Sequence, residues 1–427
     1  MQNRVQKKKK ISLTTMIFIA LLAGALAGVI INYLIPSNYV VDDIIVQGVF
    51  YIVGQGFIRL MRMLVVPLVF CSIVCGSMAV GDTKKLGSVG VKTLIFYLCT
   101  TALAITVALS IANIFNPGKG LDMSQIQVTS TVSETTQSMS MTETLLDIIP
   151  VNIFNSLSEG NMLQIIVFAL ILGVILANMG DRVDIVKNFF GQFNDIMMEM
   201  TMAVMKLAPI GVFCLIAKTF AEIGFEVFLP LLKYMFCVLL ALAVQCFVVY
   251  LGLLKIFSGL NPFIFIKNFF PVMAFAFSTS TSNATIPMNI DTLAEKMGVS
   301  KKISSFTIPL GATINMDGTS IMQGVAVVFT AQAFGIPLDM MDYLTVIGTA
   351  TLASIGTAGV PSVGLITLTM VFNSVGLPIE GIALIMGIDR ILDMTRTAVN
   401  ITGDAVCTTI VASWNKAVDR DVYYNRK

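Results

Sequence analysis

The sequence predicts an all-α membrane protein that crosses the bilayer several times. Of its 427 residues, 56% are hydrophobic and only 12% are charged, and the mean hydropathy is +0.86. A soluble domain does not need so much apolar sequence to fill its core. The apolar residues form successive long runs, and no soluble domain is left over between them. The fold class is therefore predicted to be a polytopic helical membrane protein.

Six apolar runs are long enough for the ~20 residues that a membrane-spanning helix requires. They cover residues 11–35, 45–78, 88–114, 162–178, 195–220 and 226–257. The first run lacks a small-residue cleavage site followed by a polar mature sequence. It is therefore predicted to be a retained helix and not a signal peptide.

Charged residues predict the orientation of these runs. A basic cluster within residues 4–10 precedes the first run, and lysines within residues 84–92 follow the second. Because basic residues accumulate on the cytoplasmic side, both termini are predicted to be cytoplasmic, in the inner (plasma) membrane of a cell. Residues 116–161 are rich in Ser and Thr and have no Lys or Arg after Lys119, which suits an external loop.

The residue types present exclude several classes of function. The chain has no His, which disfavours a transition-metal site and a His proton relay, so any proton carrier must be Asp or Glu. The seven Cys lie in apolar runs, where packing is a better explanation than a disulfide framework. A GxxxxGK[ST] phosphate loop is missing from the sequence, so ATP is not expected to drive this protein.

After Ser258, two apolar stretches are interrupted by small polar residues, Gly and Pro. The interruptions are residues 277–287 (FSTSTSNATIP) and 353–364 (ASIGTAGVPSVG), each between two apolar arms of about ten residues. Arms of that length are too short to span a bilayer alone, so each pair is predicted to form a re-entrant helical hairpin. Non-helical backbone at membrane depth must be buried in protein or line a wet cavity, so the hairpin tips should point inward. Such corresponding segments indicate a transporter's binding site at an inverted-repeat interface.

A third polar segment lies between the hairpins, at residues 311–324 (GATINMDGTSIMQG). Asn315 and Asp317 interrupt an apolar helix there, and Gly311 and Gly318 make local unwinding plausible. An unwound turn frees main-chain carbonyls, and carbonyls with a carboxylate are ligands that suit Na⁺. The alternative is a glycine kink that serves helix packing alone.

The strongest signal is a polar stripe within residues 387–404. At about 100° per residue, its members fall within roughly 80° of one another on a helix. The stripe consists of Asp389, Asp393, Arg396, Asn400 and Asp404. A charged side chain in hydrocarbon costs about 2.5–3.5 kcal/mol even on the lenient insertion scale. The stripe is therefore predicted to face the protein interior or a wet cavity.

These segments resemble the glutamate/aspartate:cation symporter family, also called the dicarboxylate/amino acid:cation symporters, in its prokaryotic form. The resemblance depends on motifs that occur in order along nearly the whole chain. They are residues 63–70 (MLVVPLVF), Tyr97-x-x-Thr100-Thr101, 278–282 (STSTS), 315–319 (NMDGT), 354–361 (SIGTAGVP) and Asp393-x-x-Arg396-x-x-x-Asn400-x-x-x-Asp404.

The resemblance implies an architecture of eight spanning helices and two re-entrant hairpins, built from inverted repeats. It also implies a homotrimer in which a transport domain moves like an elevator against a scaffold. The scaffold would comprise residues 11–85 and, with the external loop, 115–221. The transport domain would comprise residues 86–114 and 222–416, with hairpins at about 260–292 and 340–373.

The resemblance also implies three Na⁺ sites. The first would use the Asp404 carboxylate with main-chain oxygens of Gly311, Asn315 and Asn400. The second would use carbonyls of Thr313, Ser354, Ile355 and Thr357. The third would lie among Tyr97, Thr100, Thr101, Asn315 and Asp317. Compatible residues occupy all these positions.

For the substrate, the resemblance assigns Asp393 to an α-amino group and Arg396 to a side-chain carboxylate. A guanidinium fork can hold a carboxylate bidentately, and a carboxylate accepts strong hydrogen bonds from an ammonium group. The remaining substrate positions are Thr319 beside Arg396, Asn400 and the first tip (Thr281, Ser282, Asn283) at the α-carboxylate, Thr397, and Gly359 and Val360 closing over the ligand.

Three positions depart from the family pattern. Some relatives have Arg where this chain has Ser280, and animal relatives have Arg where it has Met394. Arg390 is the nearest substitute and could pair with Asp393, although a role in supporting the hairpins or snorkelling to the interface is equally compatible. Gln323 replaces a Glu that resembles a proton carrier in animal relatives, which disfavours animal-style proton co-transport.

The leading hypothesis is a secondary active symporter, not an enzyme, that imports aspartate or glutamate with Na⁺. Its expected partners are the amino-acid substrate, the lipid bilayer and two further copies of the chain, with no nucleic acid. Alternatives within the family are a carrier of neutral amino acids or of dicarboxylates, or H⁺ coupling. A passive ion channel is the alternative from another class, but the opposite charges of Asp393 and Arg396 suit a zwitterion better than a pore.

Overall fold

The computed structural model describes residues 13–81, 88–121, 149–224, 228–355, 363–386 and 388–425. Within these residues the regular structure is helical, apart from one isolated antiparallel bridge between Val299 and Val418. The all-α prediction is confirmed for this part of the chain.

The first half of the chain contributes helices that pack largely on one another, except α3, which packs on helices of the second half. They are α1 (Leu13–Leu34), α2 (Tyr51–Gly81, continuous with a preceding π-helical segment Val40–Phe50), α3 (Ser88–Phe115), α4 (Ile153–Glu159), α5 (Met162–Met179), α6 (Asp184–Met205) and α7 (Ala208–Ile223). Helix α1 packs on α7, and α2 packs on α5, α6 and α7. Glycines allow the close approach of α1 and α7, because a Cβ at Gly28 would lie 2.6 Å from the Phe220 Cβ.

The second half of the chain forms a cluster around one long polar helix. Its helices are α8 (Phe228–Ala243, followed by a π-helical segment Val244–Tyr250), α9 (Leu251–Ser258), α10 (Pro262–Thr279), α11 (Ser282–Met297), α12 (Lys301–Ile314), α13 (Asp317–Ala333), α14 (Met340–Ser354), α15 (Val363–Ser374), α16 (Glu380–Met386), α17 (Asp389–Trp414) and α18 (Arg420–Tyr423). Helix α17 lies at the centre and packs against α3 and against each of α8 to α13.

Six helical stretches in the described residues are long and apolar enough to cross a membrane. They are Thr15–Leu34, Val40–Leu60, Val89–Phe115, Gln164–Met205, Phe228–Ser258 and Pro262–Thr279. The multi-pass prediction is thus confirmed, whereas the total of eight spanning helices, the inverted repeats and the division into two domains stay predictions. Helix α17 has 26 residues, but its first turns carry several charged side chains and lower its hydropathy.

One predicted apolar run is divided in the structure. Residues 195–220 were expected to form a single span, but α6 ends at Met205 and α7 begins at Ala208. Pro209 lies at the start of α7, where its missing N–H removes no intrahelical hydrogen bond. The division therefore follows from a proline that apolar composition alone does not register.

Each predicted hairpin corresponds to a pair of packed helices, and their re-entry into the membrane stays a prediction. Helices α10 and α11 pack against each other across Ser280 and Thr281, and α14 packs against α15. The arms are longer than the expected ten residues: 18 and 16 in the first pair, 15 and 12 in the second. The expected arm length was too short because the Ser and Thr residues near the first tip belong to the helices. Pro287 likewise lies inside α11.

The C-terminal segment ties together two connections of the second half. The Ser300 N–H donates to the Ala417 carbonyl at 3.0 Å, and the Asp419 N–H donates to the Gly298 carbonyl at 2.8 Å. The Tyr423 hydroxyl donates to the Asn261 carbonyl at 2.8 Å. These bonds hold the α9–α10 and α11–α12 connections against the chain that leaves α17.

Candidate functional site

The polar stripe of α17 lies in the protein interior, as its helical spacing predicts. All five of its side chains are buried: Asp389, Asp393, Arg396, Asn400 and Asp404. The Arg396 side chain is only 1% exposed, although it carries a full positive charge. A buried charge requires charged or polar partners, and the neighbouring carboxylates provide them.

Arg396 forms two ion pairs on its own helix. Its Nη1 donates to Asp389 Oδ1 at 2.7 Å, and its Nη2 donates to Asp393 Oδ1 at 2.9 Å. Its Nε is buried and has no hydrogen-bond partner among the described residues. The possible pairing of Arg390 with Asp393 stays untested, because the Arg390 side chain lies outside the described residues. The Asp389 pairing was missed, although the spacing of seven residues places both side chains on one helical face.

The helix between the hairpins is broken at the predicted point. Asn315 and Met316 have non-helical backbone angles between the end of α12 and the start of α13. The Gly318 N–H, in the first turn of α13, donates to Asn400 Oδ1 at 2.7 Å. A Cβ at Gly318 would lie 2.7 Å from the Arg396 carbonyl oxygen, so only glycine permits this approach of α13 to α17.

The residues proposed for the first cation site come together at this break. Asn315 Nδ2 donates to Asp404 Oδ1 at 2.9 Å and to the Asn400 carbonyl at 3.1 Å. Asn315 Oδ1 is buried without a hydrogen-bond partner in the described part of the chain. A Cβ at Gly311 would collide with the Asp404 carboxylate and with the Tyr97 hydroxyl. The set therefore offers a carboxylate, an amide oxygen with no donor, and main-chain carbonyls within one small volume.

Asp317 is the centre of a second polar cluster. Its carboxylate accepts hydrogen bonds from Thr101 Oγ1 at 2.6 Å, from the Tyr250 hydroxyl at 2.7 Å and from Gln245 Nε2 at 3.1 Å. Gln245 Nε2 also lies 3.4 Å from the Thr100 carbonyl oxygen. Thr100, Thr101 and Asp317 thus lie together, as predicted for the third cation site.

Tyr97 and Asn315, which were predicted to belong to the third cation site, lie nearer the residues of the first cation site. The Tyr97 hydroxyl donates to the Thr307 carbonyl at 3.2 Å and lies beside the Gly311 Cα. The side-chain amide of Asn315 is bonded to Asp404 and Asn400. The two cation sets are therefore adjacent parts of one polar region.

Sequence reasoning missed Gln245 and Tyr250. Both lie in the apolar run 226–257, which was treated as an ordinary spanning helix. The signal available in the sequence was Gln245 inside an apolar run, since an amide at membrane depth needs a hydrogen-bond partner. Gln245 and Tyr250 extend the site to a helix that the motifs did not include.

The residues predicted for the second cation site are only partly described. Thr313 Oγ1 donates to the Pro309 carbonyl at 3.1 Å, and Ser354 Oγ donates to the Thr351 carbonyl at 2.7 Å. Ile355 follows α14 with extended backbone angles, which turns its carbonyl out of the helix. Thr357 lies outside the described residues.

The first hairpin tip begins with a residue in the left-handed conformation. Ser280 has φ of 53°, and its buried Oγ has no partner among the described residues. Thr281 is the N-cap of α11, Ser282 is buried and Asn283 is exposed. The α11 N-terminus therefore has N–H groups near the tip, where a carboxylate could be held.

The second hairpin approaches Arg396 through α15. A Cβ at Gly364 would lie 3.0 Å from Thr319 Cγ2 and 3.5 Å from Arg396 Nη2. Thr397 uses its hydroxyl within its own helix, donating to the Asp393 carbonyl at 2.8 Å. Gly359 and Val360, predicted to close over the substrate, lie outside the described residues.

Comparisons with known proteins agree over almost the whole chain. Residues 13–414 match the family model described as the sodium:dicarboxylate symporter family. A proton/sodium-glutamate symport protein of Bacillus caldotenax is 39% identical over 411 residues, covering 95% of each chain. A proton/glutamate-aspartate symporter of Escherichia coli K12 is 36% identical over 422 residues, covering 97% of this chain and 95% of the relative. A C4-dicarboxylate transport protein of Ralstonia nicotianae is 33% identical over 372 residues, covering 86% of each.

Proposed function

Because this chain belongs to the sodium:dicarboxylate symporter family, and is therefore a secondary symporter and not an enzyme, we propose that it imports aspartate or glutamate together with Na⁺. The proposal places the substrate between α17 and the two hairpin tips. The cations would lie one to two helical turns further along α17.

One observation carries the choice of substrate: Asp393 and Arg396 are buried side by side on one face of α17. An acidic amino acid has an ammonium group for Asp393 and a second carboxylate for the Arg396 fork. A plain dicarboxylate would leave Asp393 without a cation, and a neutral amino acid would give Arg396 no side-chain carboxylate. Relatives include C4-dicarboxylate carriers, so the dicarboxylate is the alternative that has to be tested.

The choice of Na⁺ depends on the oxygen atoms at the helix break. Asp404, Asp317 and Asn315 Oδ1, which has no hydrogen-bond partner in the described part of the chain, offer hard oxygen ligands close to main-chain carbonyls. A cation of this kind binds several oxygens at once, whereas a proton carried by one carboxylate would satisfy only one of them. Two relatives are named as proton-coupled or as proton- or sodium-coupled, so H⁺ coupling is the alternative.

Asn400 provides a physical route for coupling. Its side-chain oxygen accepts from the Gly318 N–H near the proposed substrate site, and its carbonyl accepts from Asn315 beside Asp404. A cation that binds the Asn400 carbonyl oxygen would therefore also reposition the Asn400 side chain, which lies near the proposed substrate site. Binding of substrate and ion would then favour each other.

The finer features of the proposal come from the family resemblance. They are three Na⁺ ions per substrate, a homotrimer, and an elevator movement of residues 86–114 and 222–416 against the scaffold. They also include an inner-membrane location with both termini in the cytoplasm.

Uptake into proteoliposomes tests the proposal. The purified protein is reconstituted, and radiolabelled L-aspartate, L-glutamate, succinate and L-serine are supplied with an inward gradient of Na⁺ or of H⁺. We expect saturable, Na⁺-driven uptake of aspartate or glutamate alone. Uptake of succinate in preference to both amino acids would contradict the substrate, and uptake driven by H⁺ without Na⁺ would contradict the ion.

A further inference from the structure

Tyr234, on α8, has a buried hydroxyl that the proposed mechanism does not use. The residue is 0% exposed, and its hydroxyl has no hydrogen-bond partner among the residues described. Its ring packs against Phe329 of α13, with centroids 5.2 Å apart, so the side chain is held in place. A buried tyrosine hydroxyl usually has a partner. An unpartnered hydroxyl on a fixed ring is therefore available to a group that moves.

The position of Tyr234 follows from the alignment of α8 with α17. Tyr250, at the end of the π-helical segment after α8, lies against Gly403 of α17, since a Cβ there would collide with its hydroxyl. At 1.5 Å per residue, Tyr234 precedes Tyr250 by about 24 Å, and Asp389 precedes Gly403 by about 21 Å. Phe257 packs against Trp414 with ring centroids 5.7 Å apart, further along both helices, so the two helices run in the same direction. Tyr234 therefore lies toward the start of α17. The Tyr234 hydroxyl accordingly interacts electrostatically with both Arg396 and Asp389.

Substrate binding would change the partners of Asp389. Arg396 Nη1 donates to Asp389 at 2.7 Å, and its Nη2 donates to Asp393. A substrate carboxylate that binds both Nη groups of the guanidinium competes with Asp389 and Asp393 for them. A buried carboxylate that loses its cationic partner is strongly destabilised unless another donor replaces it.

We propose that Tyr234 is a positioning residue, which donates its hydroxyl to Asp389 when Arg396 turns to the side-chain carboxylate of the substrate. This inference rests on the proposed function, because only a substrate with a second carboxylate draws Arg396 away. Tyr234 does not touch the substrate itself. It lowers the free energy of the bound state by stabilising the carboxylate that Arg396 releases.

The test is Tyr234→Phe in the full-length, detergent-solubilised protein, with aspartate affinity and thermal stability measured together. Hydrogen bonds to charged groups contribute enough that we expect the Kd for aspartate to rise about tenfold. The melting temperature without aspartate should stay the same or rise, because the substitution removes a buried polar atom that has no partner. A merely structural tyrosine would instead lower the melting temperature.

Tyr423→Phe is the matched control, since it removes one hydroxyl from another buried tyrosine. That hydroxyl donates to the Asn261 carbonyl at 2.8 Å, far along the chain from the stripe. We expect Tyr423→Phe to lower the melting temperature and leave the Kd for aspartate unchanged.

A double-mutant cycle with Asp389→Asn tests the route through Asp389. If Tyr234 acts by holding that carboxylate, adding Tyr234→Phe to Asp389→Asn should cause little further loss of affinity. Additive losses, or an unchanged Kd in Tyr234→Phe, would overturn the inference while leaving the proposed function intact. A wild-type protein that binds neither aspartate nor glutamate would overturn both.

Discussion

Asn315 donates its side-chain amide to the Asp404 carboxylate at 2.9 Å, across the break between α12 and α13. The same nitrogen donates to the Asn400 carbonyl at 3.1 Å. The break between α12 and α13 is thus hydrogen-bonded to the middle of α17. Two of the residues with the strongest sequence signals therefore share one polar region, and changes at either should affect ion binding.

Replacing Asp404 with Asn should weaken the Na⁺ dependence of transport. A carboxylate becomes a neutral amide at a hard-cation site, so we expect the Na⁺ concentration for half-maximal uptake to rise about tenfold, equivalent to about 1.4 kcal/mol. The measurement is a Na⁺ titration of aspartate uptake. Asp291→Asn is the control, because Asp291 is 55% exposed and pairs with Lys301 at the surface. An unmoved titration curve would show that the first ion site is misplaced.

Replacing Arg396 with Cys should abolish binding of acidic amino acids and spare or create binding of neutral ones. The reason is the loss of the guanidinium fork that holds the second carboxylate. Binding of aspartate and serine is measured by Na⁺-dependent thermal stabilisation. The variant should also be less stable by about 3–5 kcal/mol, because Asp389 and Asp393 lose their cation.

Arg420→Cys is the control for the Arg396 substitution. Arg420 donates to the Ser258 carbonyl at 3.2 Å, outside the proposed substrate site. Its replacement should leave the preference for acidic substrates intact. If aspartate binds equally well to Arg396→Cys, then Arg396 is structural.

Replacing Gly318 with Ala should impair transport, because the new Cβ would lie 2.7 Å from the Arg396 carbonyl oxygen and 3.0 Å from Asn400 Oδ1. Overpacking of this kind costs about 1–3 kcal/mol and would separate α13 from α17. Gly252→Ala is the matched control, since no atom of the described residues beyond its own helical turn lies within 4 Å of its Cβ position. A helical Gly→Ala change at an open position should stabilise the protein by about 0.5–1 kcal/mol. Equal uptake by both variants would refute the close approach.

Replacing Gln323 with Glu should introduce a pH dependence that the natural residue cannot have. Gln323 is buried, and its Nε2 donates to Thr367 Oγ1 at 2.8 Å. A protonated Glu resembles the amide, whereas the ionised form places a charge in a buried site. Uptake by the variant at saturating Na⁺ should therefore fall as the pH rises, relative to wild type measured across the same range. Identical pH profiles would mean that position 323 does not affect transport.

Periodicity and charge were sufficient to predict that the stripe of α17 is buried, because the pattern depends only on the helical repeat of the chain itself. That residues 396–412 are buried on every side of the helix was not predicted. The break at Asn315 was also predictable, since glycines and an aspartate in an apolar run disfavour continuous helix. The division between α6 and α7 was not predicted, because composition averaged over a run does not weigh one proline at a helix start. The length of the hairpin arms was underestimated for a similar reason, since Ser and Thr near the tip can remain helical.

The amino-acid sequence by itself determined that this protein is a helical membrane protein with a buried stripe from Asp389 to Asp404, because both conclusions follow from local composition and spacing. Only the tertiary structure decided the partners within the site. Asp317 accepts a hydrogen bond from Tyr250, which lies 67 residues earlier in the chain. Arg396 forms ion pairs with both Asp389 and Asp393. Such pairings depend on how distant helices pack and on where each buried charge finds its donor, and no local repeat contains that information.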